Sequence, residues 1–170
     1  LHGDIEGFEF ANYANILMYI IMQLLGGFCG GLTAWALGHE NAGNIYPDVV
    51  DGKEDYQVFG AEFMFTFLLV TLLIVNVTIT KPDNGIPGTT SAVSVGWMVM
   101  VSIATIGSLD AVSGCCLNPA VWFGTIMSAA CSAEKLDNIK FEYIWVYVVS
   151  ELLAGCAAGL FVRYLWKEEE

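Results

Sequence analysis

The chain has 170 residues, of which 56 % are hydrophobic and 14 % are charged, whereas about 25 % of the residues in an ordinary soluble domain are charged. The charged residues lie in a few stretches between long uncharged runs, which excludes a soluble globular domain and indicates an integral membrane protein. The net charge of −12 argues against a nucleic-acid partner.

The cysteines argue against two kinds of structural site, and the first residues argue against a secretory signal. There are five cysteines, an odd number, and no two of them form a C-x-x-C pair. This pattern excludes a disulfide framework and argues against a zinc site, so we expect neither a metal nor another cofactor. The chain begins at Leu1, and its first residues lack the basic start and apolar middle of a secretory signal. We therefore expect a processed or partial product.

Four apolar segments are long enough to cross a membrane as helices. They cover residues 16–37, 58–79, 91–109 and 143–166. Three G-x-x-x-G patterns, which predict close contact between helices, lie in the first and last segments. They are formed by Gly26 with Gly30, Gly27 with Gly31, and Gly155 with Gly159.

A shorter apolar segment follows Asn118-Pro119-Ala120. Asn is a favoured N-cap and Pro is tolerated at the first helical position, so a helix is predicted to begin at residue 119. The next charged residue is Glu134, which leaves about a dozen positions, or roughly 20 Å of helix, about two-thirds of a hydrocarbon core. A helix that begins at mid-membrane is tolerated only where it is buried in protein or lines a wet cavity. The segment therefore indicates a channel or transporter.

Four motifs together resemble the aquaporin (major intrinsic protein) family. The run from Ser113 to Gly124 is similar to the family's second Asn-Pro-Ala loop. The other three are similar to its third, fourth and sixth spans: Tyr19-x-x-x-Gln23-x-x-Gly26, Glu62-x-x-x-Thr66-x-x-Leu69-Val70, and Trp145-Val146-Tyr147 followed by Leu152-Leu153-Ala154-Gly155.

The resemblance implies an all-α integral membrane fold, with four transmembrane helices and one re-entrant half-helix in an aquaporin-like bundle. These correspond to the last four spans of a six-span fold and to the second of its two half-helices. Residues 1–170 are then one aquaporin-like membrane domain, from which the N-terminal spans and the first Asn-Pro-Ala loop are absent. The expected partners are the lipid bilayer, water or a small neutral solute, and either three copies of the same chain in a homotetramer or the other subunits of a larger membrane complex.

The resemblance places Asn118, Pro119 and Ala120 in the pore, where the Asn118 amide orients a passing water molecule. The alternative for Asn118 is an ordinary N-cap. Glu62 lies at lipid depth, where a carboxylate normally faces protein or water. By resemblance it accepts hydrogen bonds from the backbone that leads to the half-helix, and a proton relay is the alternative.

The family's selectivity ring maps to Ile106, Cys115 and Val121. Val121 stands where the family has Arg, so the ring loses five hydrogen-bond donors and a fixed positive charge. We expect an atypical apolar ring that is not a fast, strictly water-selective filter. Glu151 stands where the family commonly has Pro, and two placements remain open for it: a contact with a neighbouring subunit, or a position near the membrane interface.

These features predict a channel for water or small uncharged solutes. The alternative is an aquaporin-derived subunit that does not conduct and serves a larger membrane complex. The absent first half, Val121 and Trp122, which stands where the family has Ser, favour this alternative, whereas the retained Asn118-Pro119-Ala120 and Glu62 favour the channel. By the same resemblance, Thr125 stands where the family has Pro. A transporter with ion coupling ranks third and rests only on Glu62 and Glu151. The sequence shows no nucleophile–base pair or metal constellation, so we do not expect an enzyme.

Overall fold

A computed structural model of the chain describes residues 9–38, 46–79, 88–108, 111–131 and 139–165. In this part of the chain every regular element is a helix and no strand occurs. The five α-helices are α1 (Glu9–Gly38), α2 (Asp55–Ile79), α3 (Gly88–Ile106), α4 (Pro119–Ala130) and α5 (Ile144–Leu165), and a 3-10 turn, Phe141–Tyr143, precedes α5.

Three of these helices, α1, α2 and α5, are long and apolar enough to cross a membrane. Helix α3 has 19 residues, which at 1.5 Å per residue is about 28 Å and close to the thickness of the hydrocarbon core. Helix α4 has only 12 residues and reaches roughly 18 Å. The protein is therefore an integral membrane protein, and the half-helix predicted to begin at residue 119 is confirmed.

Helix α3 ends at Ile106, three residues before the predicted end of that span. The Ile106 carbonyl accepts hydrogen bonds from the backbone N–H groups of Ser113 and Gly114, both at 3.2 Å. A carbonyl in the last turn of a helix has no intrahelical partner. Here the returning loop supplies the partners, so the chain turns at Gly107 and the helix stops. Residue 109, the predicted end, lies outside the described residues.

The helices pack in two groups that meet at α4. Helix α2 packs along α5 and against α3, while α1 packs against α4. The buried core lies on the α5 side of α4, where Trp122 and Ile126 pack with Val58, Val146 and Tyr147. The half-helix is thus held between a side-chain core on one side and α1 on the other.

Helix α1 contacts α4 at two glycine residues, Gly27 and Gly31. A Cβ atom on Gly27 would meet the backbone oxygen of Ala120, and one on Gly31 would meet that of Gly124. The two contacts advance together by four residues, so α1 and α4 run parallel with their backbones touching. This confirms one of the two overlapping patterns predicted in the first span. A Cβ on Gly26 would have no atom within 4 Å, because Gly26 lies on another face of the helix.

The glycine pattern predicted in the last span makes no such contact within the described residues. A Cβ on Gly155 or Gly159 would meet nothing within 4 Å. This face of α5 is open in the chain as described.

We predict that Gly27→Ala destabilises the protein and that its neighbour variant Gly26→Ala does not. The new methyl at residue 27 collides with backbone, which cannot rotate away, so we expect a loss of about 1–3 kcal/mol. At residue 26 the methyl meets open space, and alanine's higher helix propensity adds up to about 1 kcal/mol. Thermal unfolding of both variants in one detergent measures the difference, and equal melting temperatures would contradict the close α1–α4 contact.

Candidate functional site

The loop that leads into α4 has an irregular backbone. Gly114, Cys115 and Leu117 have positive φ angles of 78°, 58° and 62°. Positive φ is uncommon for residues other than glycine and persists only where the surroundings enforce it. The surroundings of this loop therefore determine whether the half-helix forms.

Glu62 of α2 supplies the main restraint. Its Oε1 accepts the backbone N–H of Cys116 and its Oε2 accepts that of Leu117, each at 2.9 Å. The Glu62 side chain is fully buried. At membrane depth an unpaired backbone N–H costs several kcal/mol. The carboxylate thus satisfies two groups that water does not reach, in the arrangement that the family resemblance implies.

Tyr147 of α5 restrains the other end of the loop. Its hydroxyl donates to the Ser113 carbonyl at 2.8 Å, and the Ser113 hydroxyl accepts the N–H of Cys115 at 3.3 Å. Both Tyr147 and Ser113 are buried. The loop is therefore tied to α2 at one point and to α5 at another.

Asn118 begins the half-helix as its N-cap. Its backbone is extended, with φ −158° and ψ 124°, and its Oδ1 accepts the N–H of Ala120 at 2.9 Å. Pro119 follows at the first helical position, where its missing N–H costs nothing. Because the amide oxygen serves the cap, the NH₂ end makes no hydrogen bond within the described residues and is available to an occupant of the adjacent cavity.

The cavity lies between α1 and α4 and has a volume of about 520 Å³. Its wall on α1 consists of small residues and one amide side chain: Gln23, Gly27, Gly30, Gly31 and Ala34. Its wall on α4 runs from the N-cap to the last turn of the half-helix: Asn118, Ala120, Val121, Gly124, Thr125 and Ser128. Positions 118, 121, 125 and 128 recur at helical spacing, so one face of α4 lines the cavity.

The three residues predicted to form a selectivity ring are not equivalent in the structure. Val121 is 45 % exposed and lines the cavity. Ile106 is buried, and Cys115 packs against Gly107, where an added Cβ would lie 2.6 Å from the Cys115 Cβ. Neither of these two is among the residues of the α1–α4 cavity wall, and their place in a ring stays a prediction.

Two further replaced residues of α4, Trp122 and Thr125, lie on different faces of the helix. Trp122, which replaces a small family residue, is 5 % exposed and points into the core, so it does not block the cavity. Thr125 replaces a family Pro and lines the cavity, while its hydroxyl donates to the Val121 carbonyl at 2.8 Å. The helical period of α4 places Trp122 on the core face and Thr125 on the cavity face. That period could have been read from the sequence.

A segment before α2 covers the re-entrant loop from the aqueous side. Within residues 46–51, Pro47 lies over Gly114, because a Cβ there would be 3.0 Å from the Pro47 Cα. Val49 is buried in the same core as Trp122 and Tyr147. The segment therefore closes the top of the loop and shares the core that holds α4.

Lys140, which follows α4 in the chain, binds this covering segment. Its ammonium lies 3.2 Å from the Val49 carbonyl, 3.4 Å from Asp51 Oδ1 and 3.5 Å from Asp48 Oδ2. Partial burial lowers the pKa of Lys140, but Asp48 and Asp51 outweigh it and hold the pKa above its usual value. The attraction is therefore complete at neutral pH and is lost only as the pH rises through that raised pKa. A half-exposed cluster of this kind contributes about 1 kcal/mol or less.

The structure decides the placement of Glu151. This residue of α5 is 3 % exposed, one turn after Tyr147, and its carboxyl lies beside Cys116 and the backbone of Asn118. It sits within the chain's own core. The burial of its side chain argues against a contact with a neighbouring subunit, whereas a position near the membrane interface stays a prediction.

Comparison with known proteins agrees with this architecture. The family model described as "Major intrinsic protein" matches residues 9–162, which is most of the chain. The chain belongs to the major intrinsic protein family. The family consists of channels rather than enzymes, which supports the prediction that this chain is not an enzyme.

Several aquaporins align with most of this chain at 28–30 % identity. Aquaporin-8 of Mus musculus is 29 % identical over 160 residues, covering 91 % of this chain and 55 % of that protein. Aquaporin AqpM of Methanothermobacter thermautotrophicus is 30 % identical over 162 residues, covering 91 % of this chain and 60 % of that protein. Probable aquaporin TIP2-2 of Oryza sativa subsp. japonica is 28 % identical over 153 residues, with coverage of 90 % and 52 %. The chain spans about half the length of the curated relatives it matches. No solved structure gives a significant match.

We predict that Glu62→Gln destabilises this member of the family. The amide oxygen still accepts one N–H, but the NH₂ group faces the second donor, which is left unpaired in the interior at a cost of about 1–3 kcal/mol. The matched control is Glu142→Gln, because Glu142 is exposed in the turn before α5. Unfolding in detergent compares the two variants, and a Glu62→Gln protein as stable as the control would refute the role of Glu62 in supporting the loop.

Proposed function

We propose that the protein containing this chain is a passive membrane channel for water or small uncharged solutes, and that the cavity between α1 and α4 is part of its pore. The observation that carries the proposal is the position of Asn118. This residue starts a half-helix that is too short to cross a membrane, and it lines the cavity at the start of that helix. The names of the relatives, all of them aquaporins, support the same class of function.

The start of the half-helix has the electrostatics that such a pore requires. The N-terminus of a helix carries about half a positive charge, and the Asn118 NH₂ group is a donor at the same place. Together they favour the oxygen of a neutral solute and oppose a cation or a proton. No basic or acidic side chain lies among the cavity-lining residues, so the pore wall as described offers a charged solute no counter-ion.

Val121 gives this pore its proposed selectivity. It presents an apolar surface one turn beyond Asn118, where the resemblance places a family Arg. The opposite wall is built of small residues of α1, which leave room beside it. We propose that the pore passes small neutral solutes besides water, and that Ile106 and Cys115 complete an apolar ring. We also propose a homotetramer as the assembly.

The proposal predicts that the full-length protein in proteoliposomes raises osmotic water permeability above that of empty vesicles, and that Asn118→Asp abolishes the increase. Asp caps a helix as well as Asn does but offers no NH₂ donor and adds a negative charge. Stopped-flow light scattering measures the permeability, and circular dichroism verifies that the variant remains helical. A wild-type protein without excess permeability to water, urea or glycerol would refute the channel and favour the non-conducting subunit.

The apolar character of residue 121 gives a second prediction. Val121→Arg restores hydrogen-bond donors and a positive charge beside the cavity. We therefore expect the permeability to urea and glycerol to fall about tenfold relative to that of water. A tenfold change corresponds to about 1.4 kcal/mol, the free energy of one or two hydrogen bonds. Val121→Met adds length without charge and separates the steric effect from the electrostatic one. An unchanged solute-to-water ratio in Val121→Arg would show that residue 121 does not face the pore.

A further inference from the structure

Two carboxyl groups, one on α2 and one on α5, lie beside the re-entrant loop. Glu62 belongs to α2 and Glu151 to α5, and the two helices pack along each other. Their side chains are 0 % and 3 % exposed. Glu62 binds the backbone at residues 116 and 117, and the Glu151 carboxyl lies beside the thiol of Cys116 and the backbone of Asn118. The chain thus buries two acidic groups around three consecutive residues.

The two groups differ in what surrounds them. Both oxygens of Glu62 accept a backbone N–H at 2.9 Å. Both oxygens of Glu151 are buried and make no hydrogen bond of ordinary geometry among the described residues, although the Cys116 thiol and the Asn118 backbone lie beside the carboxyl. A buried carboxylate without well-placed donors is unfavourable, whereas Glu62 has the donors that stabilise its ionised form. The site therefore accommodates one negative charge on Glu62.

Within the part of the chain that the structure describes, no cation lies beside Glu151 to compensate a second charge. Helix α4 carries no titratable side chain along Pro119–Ala130. The titratable groups near Glu151, on the elements packed around it, are acidic or neutral: Glu62 on α2, Cys115 and Cys116 in the loop, Tyr147 on α5, and Asp48 in the covering segment beside Tyr147. The half-helix N-terminus offers a partial charge, and its stabilisation is small beside the cost of burying a second like charge.

We propose that Glu62 and Glu151 form a buried proton-binding site, in which Glu62 is ionised against the loop backbone and Glu151 holds the proton. Two buried carboxyl groups that border the same three loop residues do not both ionise in a low-dielectric interior, and they titrate as a pair. Glu151 is then a positioning residue of the pore loop. When it releases its proton, a charge appears beside the Glu62 carboxylate and the Asn118 backbone, and repulsion displaces the start of the half-helix.

The proton itself is detected by infrared spectroscopy, without reference to transport. We expect the full-length protein at neutral pH to show the carbonyl stretch of a protonated carboxylic acid in a non-polar environment. The band disappears as the pH is raised, and it is missing from Glu151→Gln. The alkaline titration of the wild-type protein provides the test even if Glu151→Gln does not fold. Absence of the band at neutral pH, or its persistence in a folded Glu151→Gln protein, would overturn the proposal.

The coupling to the pore rests on the proposed channel function and is tested by permeability against pH. We expect the wild-type permeability to fall with rising pH, about tenfold per pH unit above the transition for the loss of one proton. The Glu151→Gln profile is flat over the same range. Ser150→Ala is the matched control, because the Ser150 hydroxyl bonds only the Tyr147 carbonyl of its own helix, and it follows the wild-type profile.

The outcomes separate the two proposals. A protein that shows the band but has no excess permeability at any pH supports the proton site and refutes the channel. A conducting protein whose profile is the same in the wild type and Glu151→Gln overturns the coupling. A conducting protein that shows the infrared band and loses its pH dependence in Glu151→Gln supports both.

Discussion

The candidate pore depends on the two hydrogen bonds that Glu62 accepts from the backbone N–H groups of residues 116 and 117. Inside a membrane an irregular loop has no water to satisfy its backbone, so a protein group must do so. The carboxylate has two oxygens and meets two consecutive N–H groups. It also fixes the part of the loop where Cys115 and Leu117 have positive φ angles. Without it these two N–H groups would be left unpaired in the interior.

The half-helix is held by different physics on its two sides. Toward α5 it buries Trp122 and Ile126 in an apolar core, which gives the contact its area. Toward α1 it has backbone contacts at Gly27 and Gly31, which allow the two helices to approach closely. The α1–α4 cavity is bounded by both of these arrangements. A tryptophan beside Val121 is compatible with the cavity because the helical period directs it to the core.

The charged side chains around the loop lie in two different environments, one exposed to water and one buried. At the aqueous side, Lys140 meets Asp48 and Asp51 near water, where such a cluster is weak and replaceable. At the loop, Glu62 and Glu151 are both buried and both lie beside its backbone. A single charge matters far more there, because the surroundings do not screen it. The proposed proton on Glu151 follows from this difference in environment.

The amino-acid sequence alone determined the apolar spans, the start of α4 and the membership of an aquaporin-like fold, because these depend on local composition, capping residues and motifs that are read along the chain. Asn118 and Pro119 favour a helix start through their own local preferences. The end of α3 at Ile106 was beyond that reach, since it depends on a loop that returns from residues 113 and 114. The burial of Glu151, the choice of Gly27 and Gly31 over Gly26, and the orientation of Trp122 were likewise decided by the tertiary structure. Each depends on which helix lies opposite, and the spacing of residues along one helix does not specify its neighbour.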